Sequence, residues 1–428
     1  AGDYERVGLI LDQTPFYAQA GGQIYDTGKL STSGFAHDVD SVESYAGYVM
    51  HMGPIVSGAI KVGDTVDAQV DYVRRRKIAP NHTMTHVLNY ALRKVLGTNV
   101  DQRGSLVDEL RLRFDFTTNK ALKPDQLTQV ESICDAIIKQ ELDVFTQDSP
   151  QAHAKRIQGL RAVFGETYPD MVRVVSIGQP IAPMLEDPEN SAWSEYSVEF
   201  CGGTHLTNTR EAKKFVLFEE GAVAKGIRRI SAYTGEAADE AEARAVTLQE
   251  SLDAVAKLDG SAFIDGVTAF RPVLDVSLIS LPTKDKLRKQ HDGLVDRVKK
   301  IRKELAAQRA ANGVRDATAE ATKAQAAGQE FIVVKFDVGT DAKLGRDMLD
   351  AMVAVLPTGS FLVVSTDSDA NKTAAYARVS ENHLTSKQLD AREWVNHTLA
   401  VMNGKGGGKP TDAAGQAKTT DKATLTQT

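Results

Sequence analysis

The chain has 428 residues, 42% apolar and 25% charged, which is ordinary globular material with room for two to four domains. Its net charge of −6 argues against indiscriminate coating of nucleic acid, so any RNA contact must come from local basic clusters. Two cysteines in unlike settings argue against a disulfide framework and for a reducing compartment, and no apolar run reaches the length of a membrane span.

Ala1 leads almost directly into a strand-like run at residues 7–11, so the sequence is expected to begin inside a domain. Further β segments are read at residues 16–18, 23–26, 48–52 and 66–73, with turn signals at Asp26-Thr27-Gly28, Ser33-Gly34 and Val62-Gly63-Asp64. They predict a small antiparallel β-barrel over residues 1–78. Residues 79–234 read as an α+β unit. Its first helix carries Val87, Leu88, Ala91, Leu92, Val95 and Leu96 and stops at Gly97. Strands at 105–107 and 110–116 follow, then a helix over 123–146 in whose apolar pattern Cys134 is a core residue. More strands are expected near 168–176, around Cys201, at 215–218 and at 227–233.

Two short motifs in this unit stand out. His82 and His86 are four residues apart on one helical face, a bidentate clamp. Cys201 ends the strand-like Val198-Glu199-Phe200, and Gly202-Gly203 lets the backbone turn so that the thiolate and His205 can converge. Three of nine histidines and one of two cysteines fall in these motifs. Nitrogen and sulfur donors suit Zn²⁺ better than Mg²⁺ or Ca²⁺. A metalloprotease is disfavoured, because Thr83 stands where HExxH requires a glutamate base.

Residues 235–328 change to helical spacing. Ala241, Ala245, Leu248, Leu252 and Val255 recur at one period, and Leu287, Leu294 and Ile301 with Val298 and Leu305 form a short heptad seam. This predicts a helical hairpin spacer, or a seam for dimerisation. Residues 329–412 return to α/β, with strands at 331–336, 361–365 and 373–379 and a helix at 343–355. The last helix opens at Asp390 with Glu393 in capping-box spacing. Gly404-Lys405-Gly406-Gly407-Gly408-Lys409 reads as a loop, and residues 413–428 as a disordered tail. The fold class expected is therefore α+β and multidomain.

Five motifs resemble the editing region of alanyl-tRNA synthetases. They are His82-Thr83-Met84-Thr85-His86, Gln102-Arg103-Gly104-Ser105-Leu106, Arg111-Leu112-Arg113-Phe114-Asp115-Phe116, Cys201-Gly202-Gly203-Thr204-His205 and Gly226-Ile227-Arg228-Arg229-Ile230. The resemblance continues upstream through Thr14-Pro15-Phe16-Tyr17-Ala18-Gln19-Ala20-Gly21-Gly22-Gln23 and downstream to the Gly404 segment, nearly the whole chain. Residues 178–196 and Arg74-Arg75-Arg76 are similar to the eukaryotic cytosolic branch, which implies a cytoplasmic protein.

The resemblance implies hydrolysis of Ser-tRNA(Ala) and Gly-tRNA(Ala). One zinc ion would be held by His82, His86, Cys201 and His205, with Thr85 and Gln102 near the substrate. Arg228, Arg229, Lys405 and Lys409 would contact tRNA, and a homodimer could form through the helical or C-terminal region. A ligation pocket shaped for alanine rejects a ligand differing by one group only about 10–200-fold, hence the need for a second site. Four protein ligands close a tetrahedron, and closed zinc sites are ordinarily structural. Either the metal gains a fifth ligand, or one donor is loose, or zinc orients the substrate while another group handles water. The Thr85 hydroxyl either faces the same cavity or bonds the preceding turn. ATP and Mg²⁺ would serve only a ligase domain, and no segment of this chain reads as one. A free-standing trans-editing protein of the AlaX type, or a zinc-stabilised tRNA-binding module without catalysis, are the alternatives.

Overall fold

The structure, a computed structural model, describes residues 6–163, 167–367 and 370–418. It divides into two compact units, Ala1–Gly293 and Leu294–Thr428.

The first unit opens with β1 (Arg6–Ile10), β2 (Gly28–Thr32), β3 (Phe35–Val39), β4 (Ser41–Tyr45), β5 (Tyr48–Gly58) and β6 (Asp67–Val70). They pair antiparallel in the order β1-β5-β3-β2-β6, with β4 also on β5. The long β5 serves two neighbourhoods, meeting β4 and β1 through its first part and β3 from Ile55 to Gly58. Among the described residues the sheet stays open, so the expected closed barrel is corrected to a sheet with β1 and β6 at its edges. Strand β6 has only four residues and pairs only with β2. The chain then leaves it at Asp71, whose carboxylate accepts from the Arg74 amide at 3.1 Å and caps the next helix.

Residues 16–18 and 23–26 are loops rather than strands. Phe16 still enters the core with Leu30, Val39 and Val42, while Tyr17 and Asp26 fasten the loops to each other through two hydrogen bonds of 2.7 and 3.0 Å. Gly21 and Gly22 take positive φ, and a Cβ on Gly22 would lie 2.6 Å from the Ser105 carbonyl oxygen. The glycine pair is thus what lets Gln23 lie against Val107.

Helix α1 (Tyr72–Leu96) begins ten residues before His82 and ends at Gly97, with φ at +99°. Next come β7 (Gln102–Val107), β8 (Leu112–Thr117), α2 (Pro124–Lys139), β9 (Val144–Pro150), the short α3 (Gln151–Ala154), β10 (Met171–Ile177), α4 (Ile181–Glu186) and β11 (Ser197–Phe200). Then follow β12 (Phe215–Ala224) and β13 (Ile227–Thr234). A four-stranded sheet, β12-β13-β8-β7, forms one core with α1 and α2 around Met84, Leu88, Leu92, Phe114, Phe116 and the fully buried Cys134. A three-stranded sheet, β11-β10-β9, ends one residue short of Cys201. Helix α2 stops earlier than the expected residue 146. Glu141 turns to φ +52°, and residues 144–150 form a seven-pair ladder with β10 that outweighs their helical spacing.

Three helices, not a simple hairpin, occupy the next stretch: α5 (Gly235–Ala256), α6 (Gly260–Val276) and α7 (Leu281–Ala326). The division between the two units falls within α7. Helix α6 buries Phe263, Val267, Phe270 and Leu274. Along α7 Leu287 is fully buried but Leu305 is 41% exposed, so the heptad seam is buried only in part.

The second unit contains β14 (Phe331–Phe336), α8 (Ala342–Val355), β15 (Ser360–Asp367), β16 (Lys372–Arg378), α9 (Glu381–Ser386), α10 (Ala391–Ala400), β17 (Lys405–Lys409) and β18 (Asp412–Ala417). The sheet order is β14-β15-β16-β18-β17, parallel only between β14 and β15. Met348 and Met352 of α8 pack with Ala317 and Ala321 on one core, and Val395 and Leu399 of α10 with Ala375 and Ala413 on another. Two expectations are corrected. The glycine-rich Lys405–Lys409 segment is an edge strand, and residues 412–417, most of them assigned to a disordered tail, are its partner. Small residues make this possible: a Cβ on Gly406 would lie 2.4 Å from Val395, and one on Gly415 2.6 Å from Leu399. The remainder of the expected tail, residues 419–428, lies outside the described residues.

Glu131 joins three elements of the first unit. It accepts from the Leu217 amide of β12 at 2.8 Å and from Ser280, just ahead of α7, at 2.6 Å. Burial lifts its carboxyl from 4.5 to about 7. With the folded value above the unfolded one, this group favours the fold below about pH 4.5 and loses that contribution as pH rises toward 7. Glu131→Gln keeps the shape and removes the charge. The stability of the variant, from urea unfolding between pH 5 and 7.5, is expected to fall less steeply with pH than that of the parent.

Candidate metal centre and adjoining cleft

Helix α1 places His82 and His86 one turn apart, with their rings stacked at a centroid distance of 5.4 Å. The turn after β11 brings Cys201 and His205 to the same point, so one donor atom from each of the four residues lies within 4.8 Å of every other. His82 Nε2 is 3.2 Å and His205 Nε2 is 3.3 Å from Cys201 Sγ. Donors on a tetrahedral zinc ion are separated by roughly 3.5 Å, so the spacing suits such an ion. Both ring nitrogens of His86 are buried without a hydrogen-bond partner among the described residues, and Nδ1 lies within ion-pair distance of Glu199, which leaves Nε2 as the donor available to a metal.

The opposite nitrogen of each imidazole is held from outside. His82 Nδ1 meets Gln23 Oε1 at 2.6 Å, His86 Nδ1 lies 2.6 Å from Glu199 Oε2, and His205 Nδ1 is 3.2 Å from the Thr83 hydroxyl. These partners are themselves fixed. Gln23 Oε1 also accepts from the Thr204 amide at 2.9 Å, Glu199 Oε1 accepts from Asn89 at 2.7 Å, and Thr83 accepts from the Leu206 amide at 3.0 Å. Such contacts set the ring orientation and leave Nε2 as the ligand atom. Gly203 leaves the room for this: a Cβ there would fall 2.1 Å from His82 Cε1 and 2.9 Å from Gln23 Oε1.

Electrostatics favour a thiolate. Burial opposes ionisation of Cys201, but the charges of His82 and His86 and hydrogen bonds from His205 and His82 hold its thiol well below the usual range. Burial, then the His82 charge, push His205 down to about 3, whereas Glu199 and Cys201 overcome burial to lift His86 to about 10.

A cleft of about 470 Å³ opens beside the four residues, walled in part by Tyr17, Thr85, Gln102, Ser105, Arg161 and Tyr168. Both expected substrate-side residues line it. Thr85 donates its hydroxyl to the Asn81 carbonyl at 2.8 Å, the preceding-turn bond, while still facing the cleft. Gln102 is fixed through Nε2 on Ser105 at 3.2 Å. The expected phosphate contacts divide differently. Arg228 forms a two-armed pair with Glu220, and Arg229 another with Asp115 at 2.7 and 2.8 Å, so both forks brace the sheet. Lys405 and Lys409 are exposed on β17 in the second unit.

Sequence reading missed the roles of Gln23, Glu199 and Asn89. Glu199 stands two residues before Cys201, and a carboxylate flanking a histidine-rich donor set is the signal that could have found it. No local spacing points to Gln23, which is 59 positions from His82.

Comparison with known proteins is consistent with this geometry. Residues 1–74 match the family described as "tRNA synthetases class II (A)", 172–231 the "Threonyl and Alanyl tRNA synthetase second additional domain", and 328–427 the "DHHA1 domain". The class is therefore that of aminoacyl-tRNA synthetase proteins carrying a second additional domain. The "Alanine--tRNA ligase, cytoplasmic" of Dictyostelium discoideum is 37% identical over 97% of this chain and 44% of its own length. The "Alanine--tRNA ligase" of Candida albicans is 39% identical over 94% of this chain and 41% of its own length. The "Alanine--tRNA ligase, mitochondrial" of Saccharomyces cerevisiae is 51% identical over 59% of this chain and 26% of its own length. The chain belongs to the alanine–tRNA ligase family and spans less than half the length of these relatives. A solved C-Ala domain of alanyl-tRNA synthetase from Aquifex aeolicus is similar at 20% identity and a TM-score of 0.20, covering 23% of this chain and 85% of that one. Among the described residues no helix is long and apolar enough to cross a membrane.

Two substitutions test the centre without any assay of activity. Gly203→Ala, which displaces His82, is expected to abolish stoichiometric zinc binding, read as metal per chain after gel filtration. Glu199→Gln removes the charge behind His86 and is expected to weaken zinc roughly 10–100-fold in a chelator competition.

Proposed function

We propose that this chain hydrolyses the ester joining serine or glycine to the terminal adenosine of tRNA(Ala), the editing step of an alanine–tRNA ligase. The observation that carries this reading is that His82, His86 and Cys201 of the donor set share a cleft wall with Thr85 and Gln102. His82, His86, Cys201 and His205 would hold zinc, which when bound supplies a Lewis acid able to polarise a carbonyl or lower the pKa of water. Four protein donors complete a tetrahedron, so positioning of the ester falls chiefly to the chain's own groups.

The Thr85 hydroxyl, having donated to Asn81, presents acceptor lone pairs. Gln102 uses Nε2 on Ser105 and retains its carbonyl oxygen. Both suit a ligand that brings hydrogen-bond donors, such as an α-ammonium and a serine hydroxyl. Alanine would leave one acceptor unpaired against a methyl, which is how a polar site spares it.

The family supports tRNA as the partner. Exposed Lys405 and Lys409 are the proposed phosphate contacts of the second unit, while Arg228 and Arg229 would have to leave carboxylates to serve. Domain limits of 1–78, 79–234, 235–328 and 329–412, a cytoplasmic location and a homodimer through the helical or C-terminal region are part of the same proposal. Ligation of alanine with ATP and Mg²⁺ is the activity proposed for the parent protein.

The test follows loss of the aminoacyl ester from Ser-, Gly- and Ala-tRNA(Ala) with and without zinc. Serine and glycine are expected to be released with alanine spared, and Cys201→Ala to abolish release. Gln102→Ala should slow serine release roughly 10–100-fold, the loss of one or two hydrogen bonds. A folded, zinc-loaded chain that binds tRNA and releases nothing would overturn the reading.

A further inference from the structure

Two arginines near Glu199 lack the carboxylate partner that several others of the first unit have. Arg74, Arg75, Arg113, Arg228 and Arg229 each reach a carboxylate. Arg93 and Arg161 form no ion pair among the described residues, and the Nε of each is buried without a hydrogen-bond partner. Arg161 is nevertheless fixed in place. Its amide donates to the Val198 carbonyl at 2.8 Å, its carbonyl accepts from the Phe200 amide at 2.9 Å, and it lies opposite Glu199 on the cleft wall. Glu199 forms no ion pair with it among the described residues; its oxygens meet His86 and Asn89. Asp101 also faces the cleft but pairs with neither guanidinium. Burial, and after it the charge of Arg161, depress Arg93 to about 10, outweighing the opposite pull of Glu199 and Asp101.

Holding two like charges together with buried, unmatched donors costs free energy unless an anion completes the arrangement. Arg161 is level with Glu199, two residues from Cys201, or about 7 Å along a strand. That offset is comparable with one extended nucleotide. We infer that Arg161, on the cleft wall with its Nε buried and unpartnered, forms an anion subsite that takes the phosphodiester preceding the terminal adenosine and holds the ester against the metal centre, with the charge of Arg93 reinforcing it from behind the wall. The inference rests on the editing reading, and deepens it by naming the group that registers the RNA end. Arg161 and Arg93 are positioning residues in this scheme, since neither touches the reacting carbon.

The probe is an RNA hairpin ending in CCA whose terminal ribose carries serine through an amide, so that binding is read without turnover. In one form the last phosphodiester is a neutral methylphosphonate, and in a control form an internal linkage is neutralised instead. The zinc-loaded 428-residue chain is expected to lose roughly 10–100-fold in affinity for the first form and little for the control. Arg161→Ala and Arg93→Ala, with metal content verified, should bind the charged and the terminally neutral hairpins alike, and Arg161→Lys should recover part of the difference. Equal losses for the two neutral forms with the parent chain, or an undiminished penalty in the alanine variants, would overturn the subsite. Should a variant fail to hold zinc, the parent's two penalties decide the matter alone. Charge-dependent binding of this hairpin without hydrolysis of its ester counterpart would leave the subsite standing and remove the editing reading.

Discussion

Three buried imidazoles can share a site only if each is told which nitrogen to present, and the first unit is arranged to give that instruction. Gln23, Glu199 and Thr83 each take one Nδ1, so the three Nε2 atoms converge with the Cys201 sulfur. The partners come from a loop beside the first sheet, from β11 and from α1 itself. Gln23 is the connection between distant parts of the chain, because the same side chain meets His82 and both the amide and the hydroxyl of Thr204. The first segment of the chain is therefore a structural component of the centre, and the Gly21-Gly22 turn that delivers Gln23 belongs to the site as much as to the fold.

What was legible in the sequence follows from the range of the interactions. The four-residue period of His82 and His86 is local, and so is the stop at Gly97; both appear in the structure. The cluster of four donors was legible too, because their residue types are rare in this chain and their two motifs are short. Gln23 was read only as the start of a short β segment and the end of an upstream motif, since its partners are 59 and 181 positions away. Residues 140–146 misled for a related reason: Leu142 continues the apolar spacing of α2, but the β9–β10 ladder is a tertiary interaction that helical periodicity cannot announce. At the other end, glycines and alanines in 405–417 suggested a loop and a tail. Their small size instead lets α10 lie against a closely spaced hairpin.

Charge patterns in the sequence do not say which cations the fold pairs with carboxylates. Adjacent arginines at 228 and 229 looked available, yet in the fold each spans from β13 to a carboxylate on a neighbouring strand. Arg93 and Arg161 are 68 positions apart and drew no attention, though neither forms an ion pair among the described residues and the Nε of each is buried without a partner. An arginine's meaning depends on which carboxylates the fold brings within reach. In the editing reading, an acidic chain meets a polyanion, and the cations that matter are those the fold declines to neutralise.

The same reasoning bears on how a closed donor set can serve a reaction. With sulfur and three nitrogens around one point, an ion there has little coordination to offer a substrate, and selection passes to the wall. Thr85 has used its one donor within the protein and Gln102 one of its two, and each retains an acceptor on a residue that lines the cleft. A serine hydroxyl satisfies such a wall, and every aminoacyl ester brings an ammonium that does so as well. Glycine offers no hydroxyl, so its removal must rest on the ammonium together with the absence of a methyl that would crowd or desolvate the polar surface. Discrimination in the editing reading is therefore one criterion applied twice: alanine is spared because its single extra carbon brings no hydrogen bond to the acceptors of Thr85 and Gln102.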